Sequence, residues 1–185
     1  MHSSLPNTLR GYLRDNTAPQ HERLDRRMSG FDLTTQAGYA RFLLVQYQAR
    51  VGIEDWCALH CPPALRAPSG LPRLRADLAD LGRRLPSHSP IFSSEGDPLG
   101  VAYVLAGSTL GNTMIARQVR ENSSDLPLRF LDDPAAIAHW KLLQPLLKAA
   151  PDDTSADVLR GALDTFRHFT ALAESAPDSS ESLAA

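Results

Sequence analysis

The chain has 185 residues, 43% of them hydrophobic, which is enough for a single domain with one sizeable core. Its 19 basic and 21 acidic side chains leave a formal net charge of -2. This balance gives no basic field for a nucleic-acid backbone or an anionic membrane surface. No unbroken apolar run approaches the roughly 18–20 residues of a membrane span. We therefore expect neither nucleic acid nor membrane as a partner.

The composition favours an all-α fold. The chain holds 28 Leu and 24 Ala against 6 Val and 4 Ile. Leu and Ala lose little entropy in helices, whereas Val and Ile are common strand residues. Cys57 and Cys61 lie four residues apart on a predicted helix, so a disulfide there would stabilise little. Since the N-terminus also lacks a signal-peptide pattern, we predict a cytoplasmic protein with reduced cysteines.

Apolar spacing and capping residues predict six helices in chain order. They cover about 5–28, 34–60, 72–85, 98–120, 134–147 and 154–173. Pro19 predicts either a kink in the first helix or a new helix capped by Thr17. Short connections between helices of this length predict one compact bundle over 1–176, followed by a disordered tail over 177–185.

Three glycines interrupt the fourth helix. Gly100, Gly107 and Gly111 fall within about 20° of one direction at about 100° per residue. Each glycine costs about 1 kcal/mol relative to alanine inside a helix. This bare stripe suggests a large flat group against the backbone. A close helix crossing or a kink beside Ser108 would explain the glycines equally well.

Histidine supplies the candidate ligand. His21 follows Thr17 by one helical turn and is flanked by charged residues. By itself it is more often a surface histidine than a ligand. His139 and His168 have apolar or aromatic neighbours and are predicted to be partly buried bundle residues. No hydrolase elbow, phosphate-binding loop, dinucleotide fingerprint or di-iron pattern is present.

Three blocks of the sequence resemble the haem oxygenases, and most closely the bacterial branch often found beside bacteriophytochromes. The weakest of the three is Trp140-Lys141 followed by Thr165-Phe166, which is similar to the C-terminal haem-contacting segments of the family. Residues 9–25, with Thr17 four residues before His21, are similar to the proximal helix of that family. Residues 100–111 are similar to its glycine-rich distal helix. The likeness extends over most of residues 5–175 and implies a single-domain helical bundle of the haem oxygenase type.

The resemblance implies that haem lies between these two helices as both substrate and cofactor. His21 would be the iron ligand, while Gly107 and Gly111 would let the distal backbone lie against the macrocycle and Ser108 would line the oxygen side. With O2 and reductant the haem would be cleaved to biliverdin, CO and Fe2+. An electron donor, either a ferredoxin or an NADPH-dependent reductase, would be a partner, and a bacteriophytochrome would receive the biliverdin.

Four further residues enter the predicted site through the resemblance. Arg14 and Lys141 match basic positions that would hold the haem propionates. Phe166 would cover the haem edge, and Asn112 would stand near that edge. On the residues alone, solvated basic side chains and a core aromatic remain the common outcome for such positions.

The sequence departs from the family pattern at four positions. Asn112 replaces a second glycine, Ala106 replaces a glutamate, Pro145 occupies a second basic position, and Pro19 lies two residues before His21. These departures leave a second hypothesis open, a haem carrier or sensor that does not open the ring. A third hypothesis is a helical interaction module without a cofactor.

Overall fold

The computed structural model describes residues 8–122 and 125–176. Within these ranges the chain forms six α-helices, one 3-10 turn at Pro63–Leu65 and no strand, which confirms the predicted all-α class. The helices are α1 Leu9–Met28, α2 Gln36–His60, α3 Leu71–Asp80, α4 Pro98–Asn122, α5 Pro134–Leu147 and α6 Ser155–Ser175. The tail predicted to be disordered, 177–185, lies outside the described residues.

The helix starts follow the capping residues seen in the sequence. The side chains of Thr35, Asp97 and Asp133 each accept a hydrogen bond from a backbone amide two or three residues further on. These acceptors satisfy amides that have no partner inside the helix. Pro98 and Pro134 then occupy the first helical positions, where a missing N–H costs nothing.

The first helix continues through Pro19. Thr17 is therefore not an N-cap: it lies inside α1, and its hydroxyl donates to the Leu13 carbonyl at 2.8 Å. The cap is Thr8, whose side chain accepts from the Gly11 amide at 3.1 Å. Of the two predicted arrangements at Pro19, the chain adopts the single helix.

The third helix is shorter than predicted. It ends at Asp80 because Gly82 adopts the left-handed conformation, with φ of 65°. The Arg83 amide then donates to the Leu78 carbonyl at 2.9 Å, the closing hydrogen bond of a helix C-terminus. The prediction counted Leu85 in the apolar stripe of this helix, but Leu85 is exposed beyond the turn. The leucine spacing continues past Gly82 and therefore did not indicate that the helix ends there.

The central element of the core is α2. Apolar side chains of α3, α4 and α6 pack around it in one buried cluster. The fully buried side chains of α2 in this cluster are Tyr39, Ala40, Phe42, Leu43, Val45, Ala49 and Ile53. Because α2 is covered along most of its length, it acts as the core helix of the bundle.

The most extensive helix contacts are those of α6 with α4 and with α1. The contact with α4 depends on Gly100, where a Cβ atom would lie 1.9 Å from the Val158 carbonyl oxygen. On α6, Gly161 plays the same part, since its Cβ would lie 2.5 Å from the Asp97 carbonyl oxygen. A helix crossing therefore explains Gly100, as one of the sequence alternatives proposed.

By length and composition α4 is apolar enough to cross a membrane, which corrects the expectation that no stretch of the chain meets this criterion. Half of its apolar 18-residue window is buried inside the bundle, however. The buried stripe of Val101, Leu105, Ala116 and Val119 belongs to the core cluster around α2. Packing within the bundle thus accounts for the apolar character of α4.

Gly100→Ala tests the α4–α6 crossing. Its Cβ meets backbone rather than a flexible side chain, so the two helices must move apart. We expect the free energy of unfolding to fall by about 1–3 kcal/mol or more, measured by urea denaturation. The matched control is Gly111→Ala, whose Cβ would meet no atom within 4 Å and which we expect to gain up to about 1 kcal/mol. Equal stability of the two variants would contradict the crossing.

One buried and one partly buried histidine, His139 and His168, predict a pH dependence of stability. Burial lowers the pKa of both His139 and His168, while hydrogen bonds with the Leu65 and Ala49 backbones oppose this shift. The unfolded chain therefore binds more protons below pH 6.5, and the free energy of unfolding should decrease as the pH falls from 7 to 5. We expect the double variant His139→Gln/His168→Gln to show a flatter profile in denaturation at several pH values. An unchanged slope would refute this assignment.

Candidate functional site between α1 and α4

One face of α1 carries the predicted ligand together with two arginines. Arg10, Arg14, Thr17 and His21 lie within about 60° of one another around the helix. Thr17 is buried, whereas the other three are exposed. Thr17 therefore lies where this face meets the bundle, and Arg10, Arg14 and His21 lie at the solvent-exposed border of the face.

The imidazole of His21 is oriented by two neighbours. Its Nδ1 lies 2.9 Å from an Asp25 carboxylate oxygen, one helical turn further on. Its ring centroid lies 5.7 Å from that of Phe166 on α6, in an edge-to-face arrangement. The side chain is 60% exposed. With Nδ1 engaged by a carboxylate, Nε2 is the nitrogen left for a ligand.

Residues 8–122 and 125–176 contain no group of three or more His, Cys, Asp or Glu side chains that could hold a metal ion. His21 and Asp25 are only a pair. A metal bound to this histidine would therefore have to bring its other ligands with it.

The glycines of α4 divide into two kinds. Gly100 lies in the crossing of α4 and α6. The prediction that all three glycines form one bare stripe is therefore wrong for Gly100. At Gly107 a Cβ would meet only Trp140 Cζ3, at 3.9 Å, and at Gly111 it would meet no atom within 4 Å. No neighbouring helix thus requires glycine at these two positions.

A cluster of aromatic and polar side chains joins the two helices. The ring of Tyr103 on α4 lies 6.4 Å from that of Trp140 on α5, and the Arg10 guanidinium lies 5.2 Å above the same indole. Burial raises the pKa of Tyr103, while the positive charge of Arg10 and a hydrogen bond with Thr17 oppose this shift. Sequence analysis missed Arg10 and Tyr103, although helical spacing places Arg10 on the His21 face.

Phe166 of α6 connects His21 of α1 with α4. It is buried with Val104 and Ala162, and Leu24 of α1 packs against this group. Because the same ring contacts His21, it links the histidine to the turn of α4 that precedes Gly107. We refer to the following residues as the junction site: Arg10, Thr17, His21, Tyr103, Gly107, Trp140 and Phe166.

Two predicted residues of α4 do not share the bare face. Ser108 donates its hydroxyl proton to the Leu105 carbonyl at 2.7 Å and is partly buried. Asn112 is only 7% exposed and lies on the buried stripe, about 100–140° around the helix from Gly107 and Gly111. The resemblance predicted Asn112 near the haem edge, and the structure places it among the buried residues of α4.

The two predicted basic residues lie at the surface. Arg14 is exposed and pairs with its neighbour Asp15 at 2.7 Å. Lys141 follows Trp140 on α5 and is also exposed. They are therefore solvated side chains beside the junction site, and the structure does not bring them together.

Two surface clefts lie elsewhere in the described part of the chain. The larger, of about 660 Å³, has a largely charged and polar lining that includes Asp80 and Arg129. The smaller, of about 430 Å³, lies between Trp56 and Phe92. None of the predicted site residues lines either of these two clefts.

No protein-family model matches the chain. Among curated proteins, it is similar to the heme oxygenase of Xanthomonas campestris pv. campestris (strain 8004). The two sequences are 32% identical over 144 residues, which cover 71% of this chain and 86% of the relative. This similarity extends over most of both chains and agrees with the helical bundle described above. The chain belongs to the haem oxygenase family.

Proposed function

We propose that this protein cleaves haem with O2 and reductant to biliverdin, CO and Fe2+. Haem would bind at the junction site, with its iron on His21 and its face against Gly107 and Gly111. The observation that carries the proposal is that no neighbouring backbone requires glycine at these two positions: the space is open at Gly111, and at Gly107 a Cβ would meet only the Trp140 ring. The family relationship supports haem binding, and the products are our inference.

The energetics of α4 favour a ligand at this position. Two glycines together cost about 2 kcal/mol of helix stability relative to alanine. At Gly100 the backbone contact with α6 accounts for that cost, whereas the described residues offer no such contact at Gly107 or Gly111. A planar group that needs the backbone itself would account for both remaining positions.

The surroundings of His21 fit haem. The porphyrin supplies four nitrogen ligands, so a single protein imidazole is enough to bind its iron. Asp25 holds Nδ1 and leaves Nε2 for the iron, and the buried rings of Phe166 and Trp140 pack against His21 and Tyr103. Arg10, Arg14 and Lys141 would be the cations available to the two propionates.

When bound, haem supplies the iron that binds O2 and the ring that is cleaved. The chain contributes a distal face without ionisable acids or bases, since residues 104–116 contain no Asp, Glu, His, Lys or Arg. Protons at this face must therefore come from hydroxyl groups or water. Ser108 supplies one such hydroxyl, whose own proton is donated to the Leu105 carbonyl.

Because the proposed reaction consumes electrons, it requires an external donor, which we take to be a ferredoxin or an NADPH-dependent reductase. We further propose that the reaction takes place in the cytoplasm and that a bacteriophytochrome receives the biliverdin.

His21→Ala tests both binding and turnover. Hemin added to the purified wild-type protein should give a Soret band of bound haem, and aerobic reductant should convert it to the broad red absorption of biliverdin. The variant removes the only proposed protein ligand of the iron, so we expect hemin affinity to fall at least tenfold and turnover to be lost. Titration of the Soret band and chromatography of the product measure the two effects.

His88→Ala is the matched control, because His88 is an exposed histidine in the connection between α3 and α4. It should bind and convert hemin like the wild type. A wild-type protein that binds hemin through His21 but forms no biliverdin would select the carrier or sensor hypothesis. The absence of any Soret shift would instead select the module without a cofactor.

Gly111→Ala separates the bare face from the stability of the fold. The added methyl meets no protein atom, so the variant without hemin should be as stable as the wild type or more so. The same methyl would stand between haem and the backbone of α4, so we expect hemin affinity and the turnover rate to fall several-fold. If the variant instead keeps both, haem does not lie against Gly111.

A further inference from the structure

The two halves of α1 are held in the bundle by different means. In the first half Leu9, Leu13 and Thr17 are buried, and the Leu9 amide donates to the Ala149 carbonyl at 2.7 Å. No residue of α1 after Thr17 is buried. The half that carries His21 therefore has only partial apolar packing.

The two halves of α1 meet at Pro19. Proline has no N–H, so the Asp15 carbonyl lacks its usual partner in the helix. On the same turn the Asn16 amide side chain donates to the Tyr12 carbonyl, at 2.8 Å. The hydroxyl of Thr17 bonds back to the helix in the same way. A proline together with side chains that bond back to carbonyls is a common cause of helix bending.

A polar contact from α6 holds the second half in place. Glu174 Oε1 accepts from Arg23 Nη2 at 2.7 Å and from Arg23 Nε at 3.1 Å. Arg27, one turn further along α1, reaches the same oxygen at 3.5 Å. Leu24 and Met28 lie between and beside these arginines and are partly buried against the core. The Glu174 side chain is 29% exposed, whereas Arg23 and Arg27 are 61% and 58% exposed, so the contact lies at the protein surface.

Resting on the proposed function, we propose that Glu174 is a positioning residue for His21. Through Arg23 and Arg27 it fixes the half of α1 beyond Pro19 against α6, and this sets the distance between the imidazole and the face of haem. The contacts of Glu174 are with Arg23 and Arg27, so it would act on His21 only through α1. The Phe166 ring, eight residues earlier on the same helix, contacts His21 directly, so α6 supports this half of α1 at two points.

The charge state of Glu174 is compatible with this role. Its hydrogen bonds with Arg23 hold the pKa of the carboxyl below its usual value, so the pair is ionised throughout the neutral range. An ion pair of this kind is screened by salt. The contribution of Glu174 should therefore decrease as the ionic strength rises.

The test compares Glu174→Gln with Glu121→Gln, which removes an exposed pair made within α4 alone. Glutamine keeps the size of the side chain and removes its charge. Exposed ion pairs contribute little, so the expected effect is a change of a few-fold at most. We expect Glu174→Gln to raise the hemin dissociation rate by about two- to fivefold and Glu121→Gln to leave it unchanged, as measured by transfer of hemin to excess apomyoglobin.

Two further measurements distinguish positioning from general destabilisation. In 0.5 M NaCl the wild-type dissociation rate should rise toward that of Glu174→Gln, while the rate of the variant should change little. In the ferrous protein, the iron–histidine stretching band should broaden or shift in Glu174→Gln, with the thermal midpoint of unfolding of the apoprotein nearly unchanged. Arg23→Gln should have a similar effect that is not additive with Glu174→Gln.

A wild-type protein that binds hemin through His21 but dissociates no faster after Glu174→Gln would overturn this inference and leave the proposed function intact. A dissociation rate that rises with no change in the iron–histidine band, and equally in Glu121→Gln, would also overturn it. Failure of the wild type to bind hemin at all would overturn both proposals, and the wild-type titration separates that case from the others.

Discussion

The backbone contact between α4 and α6 is the constraint on which the rest of the candidate site depends. It exists only because Gly100 and Gly161 have no Cβ, so that each helix approaches the carbonyl groups of the other. Once α4 is fixed at this end, the positions of Gly107 and Gly111 follow from the geometry of the helix. Glycine thus allows the contact with α6 at the start of α4, and it leaves the backbone of α4 without a Cβ at Gly107 and Gly111.

The helix on the other side of the candidate site, α1, is held less uniformly along its length. The first half of α1 is anchored by buried side chains, whereas the half with His21 depends on partial packing and on ion pairs to α6. The half of α1 with His21 contacts the core around α2 only through partly buried side chains, so a flat ligand bound beside it would displace few core contacts. Elements that move on binding usually belong to the less stable parts of a protein.

The electrostatics of the two sides differ in a similar way. α1 carries carboxylates and arginines around His21, and Asp25 selects which imidazole nitrogen is available. The facing stretch of α4 holds no ionisable side chain over residues 104–116. A site with an oriented imidazole among charged side chains on one side and a backbone face without ionisable groups on the other would suit an iron porphyrin, which needs one axial donor and an uncrowded opposite side.

Local sequence determined the secondary structure well. The Leu and Ala content, the Asp-Pro pairs and Thr35 were enough to place most helix ends, because capping and propensity act over a few residues. The end of α3 was misplaced because the leucine spacing continues past Gly82, whose left-handed turn overrides it. The family resemblance, carried by the blocks around His21 and Gly107, was likewise visible in the sequence and is supported by the similarity to a known heme oxygenase.

The tertiary structure decided what helical spacing cannot distinguish. By helical spacing, Gly100 and Gly107 lie on the same face of α4. Only Gly100 is in contact with the backbone of α6, because the sequence of α4 does not determine where α6 crosses it. For the same reason the sequence left open whether Asn112 is buried, and it gave no sign that Arg10 lies over Trp140 or that Glu174 reaches α1. Sequence fixes which face of each helix is apolar, but which groups meet across two faces depends on how the helices cross.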